Sequence, residues 1–224
     1  MIEILLKNKN LVLIYKPPGI AVQKDTSGDD DAMTLTSREL DALGEQSALW
    51  LVHRLDRVVG GLVVFARNKF AAAYLSELVS ADGMQKEYLA VVEGRAEGGE
   101  MRDYIYKDSA SGKAFVVKNG RKGAKEALLE YIPISTVETE RGERTLVRIK
   151  LHTGRFHQIR VQFASRKMPL VGDGKYGSKD NGAKMPSLFS TRLAFKTKNE
   201  RIDVSRLPNT DAYPWSLFDG ECYK

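Results

Sequence analysis

The chain has little cysteine and no long apolar run. Its 224 residues include one cysteine, Cys222, which excludes an internal disulfide framework and gives no indication of an oxidising compartment. No apolar stretch approaches the roughly eighteen residues that a membrane-spanning helix needs. The N-terminus, Met1-Ile2-Glu3, has neither the basic and apolar regions of a secretory signal nor an Arg- and Ser-rich transit pattern. We therefore expect a soluble, cytoplasmic protein without membrane association.

Patterns typical of metal and nucleotide sites are also missing. The three histidines, His53, His152 and His157, do not have the spacing of metal ligands, and a lone cysteine does not extend them to a ligand set. The sequence contains neither a Walker A loop nor a GxGxxG element. The sequence thus predicts no metal site and no cofactor.

Positive charge is unevenly distributed along the chain. The formal net charge is +6, but residues 1–47 carry five Lys or Arg against eight Asp or Glu, whereas residues 141–206 carry sixteen against five. Clustered cations gain affinity for a polyanion by releasing its counterions. A solvated lysine-rich surface would give the same count, so charge alone favours a nucleic-acid partner only slightly.

Short β-favouring runs, interrupted by a few helical patterns, predict the fold class. Helices are predicted at 35–43, 69–81 and 154–166, and strands at 11–15, 62–66, 86–93, 128–137, 145–152, 188–195 and 202–204, with a weak strand at 115–117. Residues 95–124 are otherwise rich in Gly, Lys and Ser. We expect one α+β domain with a mixed, mainly antiparallel sheet flanked by helices and loops.

The segment His53-Arg54-Leu55-Asp56 places an arginine and a carboxylate two residues apart. On an extended chain the two side chains share a face, so an ordinary surface ion pair is one interpretation. Apolar residues surround the pair, and Gly60-Gly61 allow close backbone approach. Charges in apolar surroundings must be well paired or functional, so a functional site is the other interpretation.

A second candidate segment reads Gly-Arg-Phe-His-Gln-Ile-Arg over residues 154–160. At a helix start its cations would oppose the macrodipole, so we expect an anion nearby, either a phosphate or a carboxylate. A solvent-facing polar stripe is the alternative. Tyr88, on a predicted strand, is either a half-buried strand residue or a stacking surface for a base, and nothing in its local sequence decides between them.

Taken in order, these features resemble the RluA-type family of pseudouridine synthases. Five segments carry the resemblance: Lys16-Pro17-Pro18-Gly19, the HRLD motif of His53 to Asp56 with the following RVVGGL, residues 86–94 (KEYLAVVEG), residues 154–161 (GRFHQIRV) and residues 169–177 (PLVGDGKYG). One departure is Val59-Gly60, where the family often has Thr-Ser, a change expected to affect loop rigidity or substrate choice. The pattern starts near residue 11, so we expect a stand-alone catalytic domain over 1–224 without an N-terminal S4-like RNA-binding domain.

The resemblance implies an isomerase that converts uridine to pseudouridine in structured RNA, either ribosomal or transfer RNA. The target base would be flipped out of its stack, its C1′–N1 bond cleaved, the base rotated and C5 joined to C1′. Asp56 would be the essential carboxylate, attacking C1′ or removing a sugar proton; both routes remain open. Arg160 would pair with Asp56 and keep it ionised, and Tyr88 would stack on the base and help to move a proton.

The resemblance also implies residues that hold the RNA. Ile159 would line the base pocket, Arg54 would enter the space left by the flipped base, and His53 would support the loop. The remaining predicted RNA contacts are Lys16, Arg155, His157, Gln158, Lys167 and Lys175. We expect a monomer without an obligate protein partner.

Two rival functions belong to other classes. A non-catalytic RNA-binding or RNA-chaperone protein on the same fold would bind RNA without forming product. A glycoside hydrolase would also act at an anomeric carbon, but it needs two positioned carboxylates, and these motifs offer no second candidate.

Overall fold

The computed structural model describes residues 2–198 and 200–223. It divides the chain into two compact units: the part up to Met84 together with Ser190–Arg206, and Gln85–Phe189 together with the segment from Leu207 onward. Among the helices of these described residues, none combines the length and apolar character needed to cross a bilayer.

The regular elements follow one another along the chain as eleven strands and three α-helices in the described residues. They are β1 (Glu3–Lys7), β2 (Leu11–Lys16), α1 (Ala32–Ala42), β3 (Trp50–Leu51), β4 (Gly60–Ala66), α2 (Lys69–Ser80), β5 (Gln85–Glu93), β6 (Gly99–Asp108), β7 (Lys113–Val117), β8 (Lys125–Val137), β9 (Arg144–Leu151), α3 (Gln158–Ser165), β10 (Leu188–Lys196) and β11 (Arg201–Ser205). Short 3-10 turns lie at Gly174–Tyr176, Trp215–Leu217 and Gly220–Tyr223.

In the first unit the strands run in the order β1-β2-β4-β10, with β3 paired to β4 and β11 to β10. All seven residues of β4 are buried, and α2 packs Ala71 and Leu75 into a core shared with alternate residues of β2 and β4. Gly61 has φ +126°, and a Cβ there would lie 2.3 Å from the carbonyl oxygen of Ser190. Only glycine therefore allows β10 to approach β4 at this point.

In the second unit the strand order is β5-β9-β8-β6-β7, and all of these neighbours pair antiparallel. Helix α3 packs Val161 against a small core formed by Ile105, Ala114 and Ala127. Phe163 of the same helix meets Tyr131 of β8 edge to face, with ring centroids 5.0 Å apart. The second unit is thus a five-stranded antiparallel layer with a helix on one face.

The predicted α+β class, with mainly antiparallel strands and flanking helices, is confirmed. Three strands were missed: β1, the two-residue β3, and β6 in the stretch 95–124. Of the ten residues of β6, only Met101 and Ile105 are buried, which leaves too few apolar positions for a clear two-residue alternation. Helix α3 begins at Gln158, four residues later than predicted, because His157, the residue before it, has left-handed backbone angles.

Candidate active site

The HRLD segment forms an irregular loop between β3 and β4 in the first unit. Leu55 is buried and anchors the loop, whereas Asp56 beside it is half-buried. The backbone N–H of Val59 donates to the carbonyl oxygen of Asp56 at 3.0 Å, which closes a turn immediately before β4 begins. The candidate carboxylate therefore sits on a short turn fixed to a fully buried strand.

His53 and Arg54 diverge in their surroundings. The His53 Nε2 atom accepts a hydrogen bond from the backbone N–H of Val64 at 3.2 Å, so the ring ties the start of the loop to β4. Arg54 is exposed. The geometry agrees with a supporting role for His53 and leaves the Arg54 guanidinium at the surface, where a nucleic acid can reach it.

Lys16, at the end of β2, does not have the exposed position that its predicted contact with RNA requires. Its side chain is fully buried, and its Nζ donates to the carbonyl oxygens of Pro17, Ile20 and Arg57 at 2.9, 2.7 and 3.2 Å. An ammonium group has three N–H donors, and the three carbonyl oxygens can accept one hydrogen bond from each of them. Burial lowers the pKa of Lys16 to about 7, while the charge of Asp56 acts to raise it. Lys16 therefore joins the KPPG turn to the residue that follows Asp56.

Arg57 contributes a second attachment that sequence reasoning missed. Its guanidinium binds the carboxylates of Asp25 and Asp29, each at 2.9 Å, and its N–H groups also reach Ser27 and the Gly19 carbonyl. Hydrogen bonds from Ser27, and then from Arg57, lower the pKa of Asp25 to about 2. The acidic stretch after residue 24 thus supplies ion-pair partners for Arg57, the residue next to Asp56. In the sequence, only the position of Arg57 directly after the HRLD motif indicated a role for it.

In the second unit, the start of α3 is set by Gln158. Its Oε1 accepts from the Thr153 hydroxyl at 2.7 Å and from the Arg155 backbone N–H at 3.0 Å, and its Nε2 donates to the Leu128 carbonyl at 3.1 Å. His157 has left-handed backbone angles, φ 53° and ψ 28°, which end the helix on its N-terminal side. Gln158 is buried, so its predicted contact with RNA is replaced by an internal role.

His157 is held by two aromatic neighbours. Its ring stacks on Phe156 with centroids 3.8 Å apart, and its Nδ1 lies 2.8 Å from the Tyr176 hydroxyl. The same hydroxyl accepts a hydrogen bond from the backbone N–H of Ala114 on β7 at 2.8 Å. The 3-10 turn that carries Tyr176 therefore joins the start of α3 to β7.

Arg160 is buried and forms a bidentate ion pair with Asp173, with Nε–Oδ2 2.7 Å and Nη2–Oδ1 2.8 Å. Its guanidinium also lies 5.1 Å from the centroid of the Tyr176 ring. Within this unit Asp173 is thus a carboxylate partner of Arg160 that the sequence did not predict. In the sequence, Asp173 lies within the fifth matching segment, residues 169–177, and a carboxylate thirteen residues from an arginine carries no local signal of an ion pair.

The other predicted residues of the second unit are distributed over several elements. Tyr88 and Ile159 are buried, Tyr88 on β5 opposite Ile149 of β9. Lys167 and Lys175 are exposed, as their predicted contact with phosphates requires. Arg155 is half-buried, and its Nε donates to the Glu126 carbonyl at 2.6 Å.

The family model described as RNA pseudouridylate synthase matches residues 10–165. The chain belongs to this family. A curated relative described as an uncharacterised RNA pseudouridine synthase of Aquifex aeolicus is 34% identical over 186 residues, which are 80% of this chain and 57% of the relative. This chain thus spans little more than half the length of that relative.

Two further similarities agree with this family. The tRNA pseudouridine synthase C of Haemophilus influenzae is 30% identical over 201 residues, covering 86% of this chain and 83% of the relative. Among solved structures, human RNA Pseudouridylate Synthase Domain Containing 4 superimposes with a TM-score of 0.75 at 24% identity, covering 92% of this chain and 89% of that one. The structural likeness supports the fold.

Proposed function

We propose that this protein isomerises uridine to pseudouridine in structured ribosomal or transfer RNA, with Asp56 as the catalytic carboxylate. Membership of the RNA pseudouridylate synthase family, matched from residue 10 to residue 165, carries the proposal. The HRLD motif lies inside this match. The same proposal places the activity in the cytoplasm, as a single-chain enzyme.

The surroundings of Asp56 support a carboxylate that is held in a fixed position. Hydrogen bonds from Lys16 to the Arg57 carbonyl, and from Val59 to the Asp56 carbonyl, hold the backbone on that side of the carboxylate. Such fixed placement lowers the reorganisation needed when charge develops in the reaction.

The reaction has a simple balance of atoms. The C1′–N1 bond breaks and a C1′–C5 bond forms, C5 loses its proton and N1 gains one, so substrate and product are isomers. In this proposal Asp56 acts at the sugar, and Tyr88, Ile159 and Arg160 have the roles that the family resemblance implies for them. The ion pair with Asp173 fixes the orientation of the Arg160 guanidinium.

Replacement of Asp56 by Asn tests the proposal directly. RNA labelled with tritium at uridine C5 loses the label to water when C5 joins C1′, and we expect this release to disappear in Asp56→Asn because an amide supplies neither an anionic nucleophile nor a base. Affinity for the RNA should change by no more than a few fold. Asp41→Asn, an exposed carboxylate on α1 of the same unit, is the matched control and should release tritium normally.

Substantial tritium release by Asp56→Asn would remove this residue from the chemistry. RNA binding by the wild-type protein without any release would favour the rival non-catalytic RNA-binding protein. Mapping pseudouridines in total RNA from a strain lacking the gene, against its parent, would identify the modified RNA and the position together.

A further inference from the structure

The β6–β7–β8 layer carries aromatic side chains on the face opposite α3. On β6 and β7 the buried residues Ile105 and Ala114 point toward α3, so the alternate residues Tyr104, Tyr106 and Phe115 point away from it. Tyr106 and Phe115 are direct cross-strand partners, and Phe115 is 45% exposed. We call these three side chains the aromatic face.

Cations surround the aromatic face. Residues 107–125 contain six Lys or Arg and a single acidic residue, Asp108, an excess that lies outside the basic stretch of residues 141–206. The Arg121 guanidinium lies 3.9 Å from the centroid of the Tyr106 ring. Asp108 accepts hydrogen bonds from Ser111 and Ala110, and Glu126 on the same layer is paired with Arg102 at 2.7 Å. The carboxylates near the aromatic face thus have partners, while most of the surrounding Lys and Arg side chains are exposed.

The same hairpin adjoins residues already predicted to contact RNA. Lys107 Nζ lies 4.7 Å from the ring of Phe156, the neighbour of His157. At the hairpin tip, a Cβ on Gly112 would lie 3.6 Å from Lys175 Nζ. The tip of the β6–β7 hairpin therefore lies beside Lys175, whereas Lys107 and Phe156 lie on the α3 side of the layer.

We propose that the aromatic face binds unpaired nucleotides of the RNA substrate, with a base stacked on Phe115 and phosphates held by the cations of residues 113–125. This inference rests on the proposed function in that it takes RNA as the substrate. Bases stack on exposed aromatic rings only when they are free of a duplex, and Arg or Lys beside the rings adds the attraction to phosphate. The exposed ring, the paired carboxylates and the local excess of cations fit single-stranded RNA better than an acidic or apolar protein segment.

Phe115 allows a direct test with a decamer of oligouridylate as the probe. Loss of the stacking of one base on one aromatic ring should lower the affinity of Phe115→Ala for the decamer by about five-fold or more. Phe115→Trp should retain the affinity, and it should show fluorescence quenching on binding beyond that of the wild-type protein, whose own tryptophans are Trp50 and Trp215. Phe70→Ala is the matched control, because Phe70 is 72% exposed, lies in the first unit and also has a lysine over its ring.

The proposal is overturned if the wild-type protein does not bind the decamer, if Phe115→Ala binds it as tightly as the wild type, or if Phe115→Trp shows no additional quenching. An equal loss in Phe70→Ala would also overturn it, because aromatic exposure in general would then explain the effect. The tritium-release assay separates this inference from the proposed function. Decamer binding that depends on Phe115, in a protein that releases no tritium, would retain the aromatic face and reject the isomerase. Normal tritium release together with unchanged decamer binding in Phe115→Ala would support the isomerase and reject the aromatic face as an RNA-binding surface.

Discussion

The buried Arg160–Asp173 pair allows a quantitative test of how the α3 arginine is held. The two side chains are 5% and 1% exposed and share two short hydrogen bonds. Removal of one member of such a pair leaves the other charge buried without its partner, which typically costs about 3–5 kcal/mol. We therefore expect Asp173→Leu and Arg160→Met each to lower the free energy of unfolding by about that amount. For a chain of this length the midpoint of thermal unfolding should fall by roughly 6–20 °C.

The double variant is the decisive measurement. Because Arg160→Met with Asp173→Leu removes both charges and leaves apolar side chains, it should be more stable than the sum of the single losses predicts, by about 2 kcal/mol or more. Urea unfolding followed by circular dichroism measures all four proteins. Asp203→Asn provides the control: its ion pairs with Arg192 and Arg201 have similar distances but lie at the surface, so the loss should stay within about 1 kcal/mol. Strictly additive losses in the cycle would show that the pair is not energetically coupled and would refute the reasoning.

Two further predictions concern lysines of opposite kind. The pKa of Lys16 is about 7 in the folded protein and near its ordinary value of about 10.4 in the unfolded chain. Between these values the unfolded chain binds one more proton than the folded protein, so the free energy of unfolding should rise with pH. This rise should be absent in Lys16→Met when urea unfolding is measured from pH 7 to 10. Equal slopes in both proteins would contradict the assignment. Neutralising the exposed Lys167 and Lys175 together should weaken RNA binding and reduce the slope of log affinity against log salt by about 0.7–0.9 per lost phosphate contact. An unchanged salt slope would place the RNA elsewhere.

The sequence predicted correctly those elements whose determinants lie in consecutive residues. Helix α2 lies at Lys69–Ser80, within one residue of the predicted 69–81, because its apolar stripe and its Asn68 cap are both written in consecutive residues. The buried strand β4 was predicted for the same reason, from an unbroken apolar run. The family, too, was indicated by five short motifs in their order along the chain, each of them a run of consecutive residues.

Lys16 and Gln158 show where local reasoning fails. Both are polar residues in motifs that suggested contact with RNA, and both are buried and bound internally. A sequence specifies that a lysine has three donors, but it does not specify that carbonyls from residues 17, 20 and 57 converge on them. Convergence of this kind is set by how β2, β4 and their loops pair.

The sequence by itself determined the fold class, the family and the candidate carboxylate, because these depend on periodicity and on short ordered motifs. Only the tertiary structure decided which charge faces which. It paired Arg160 with Asp173, joined Arg57 to Asp25 and Asp29, and brought Tyr106 beside Phe115. Such pairs depend on strand register and chain reversal, which bring together residues that are distant in sequence and carry no mutual signal along the chain.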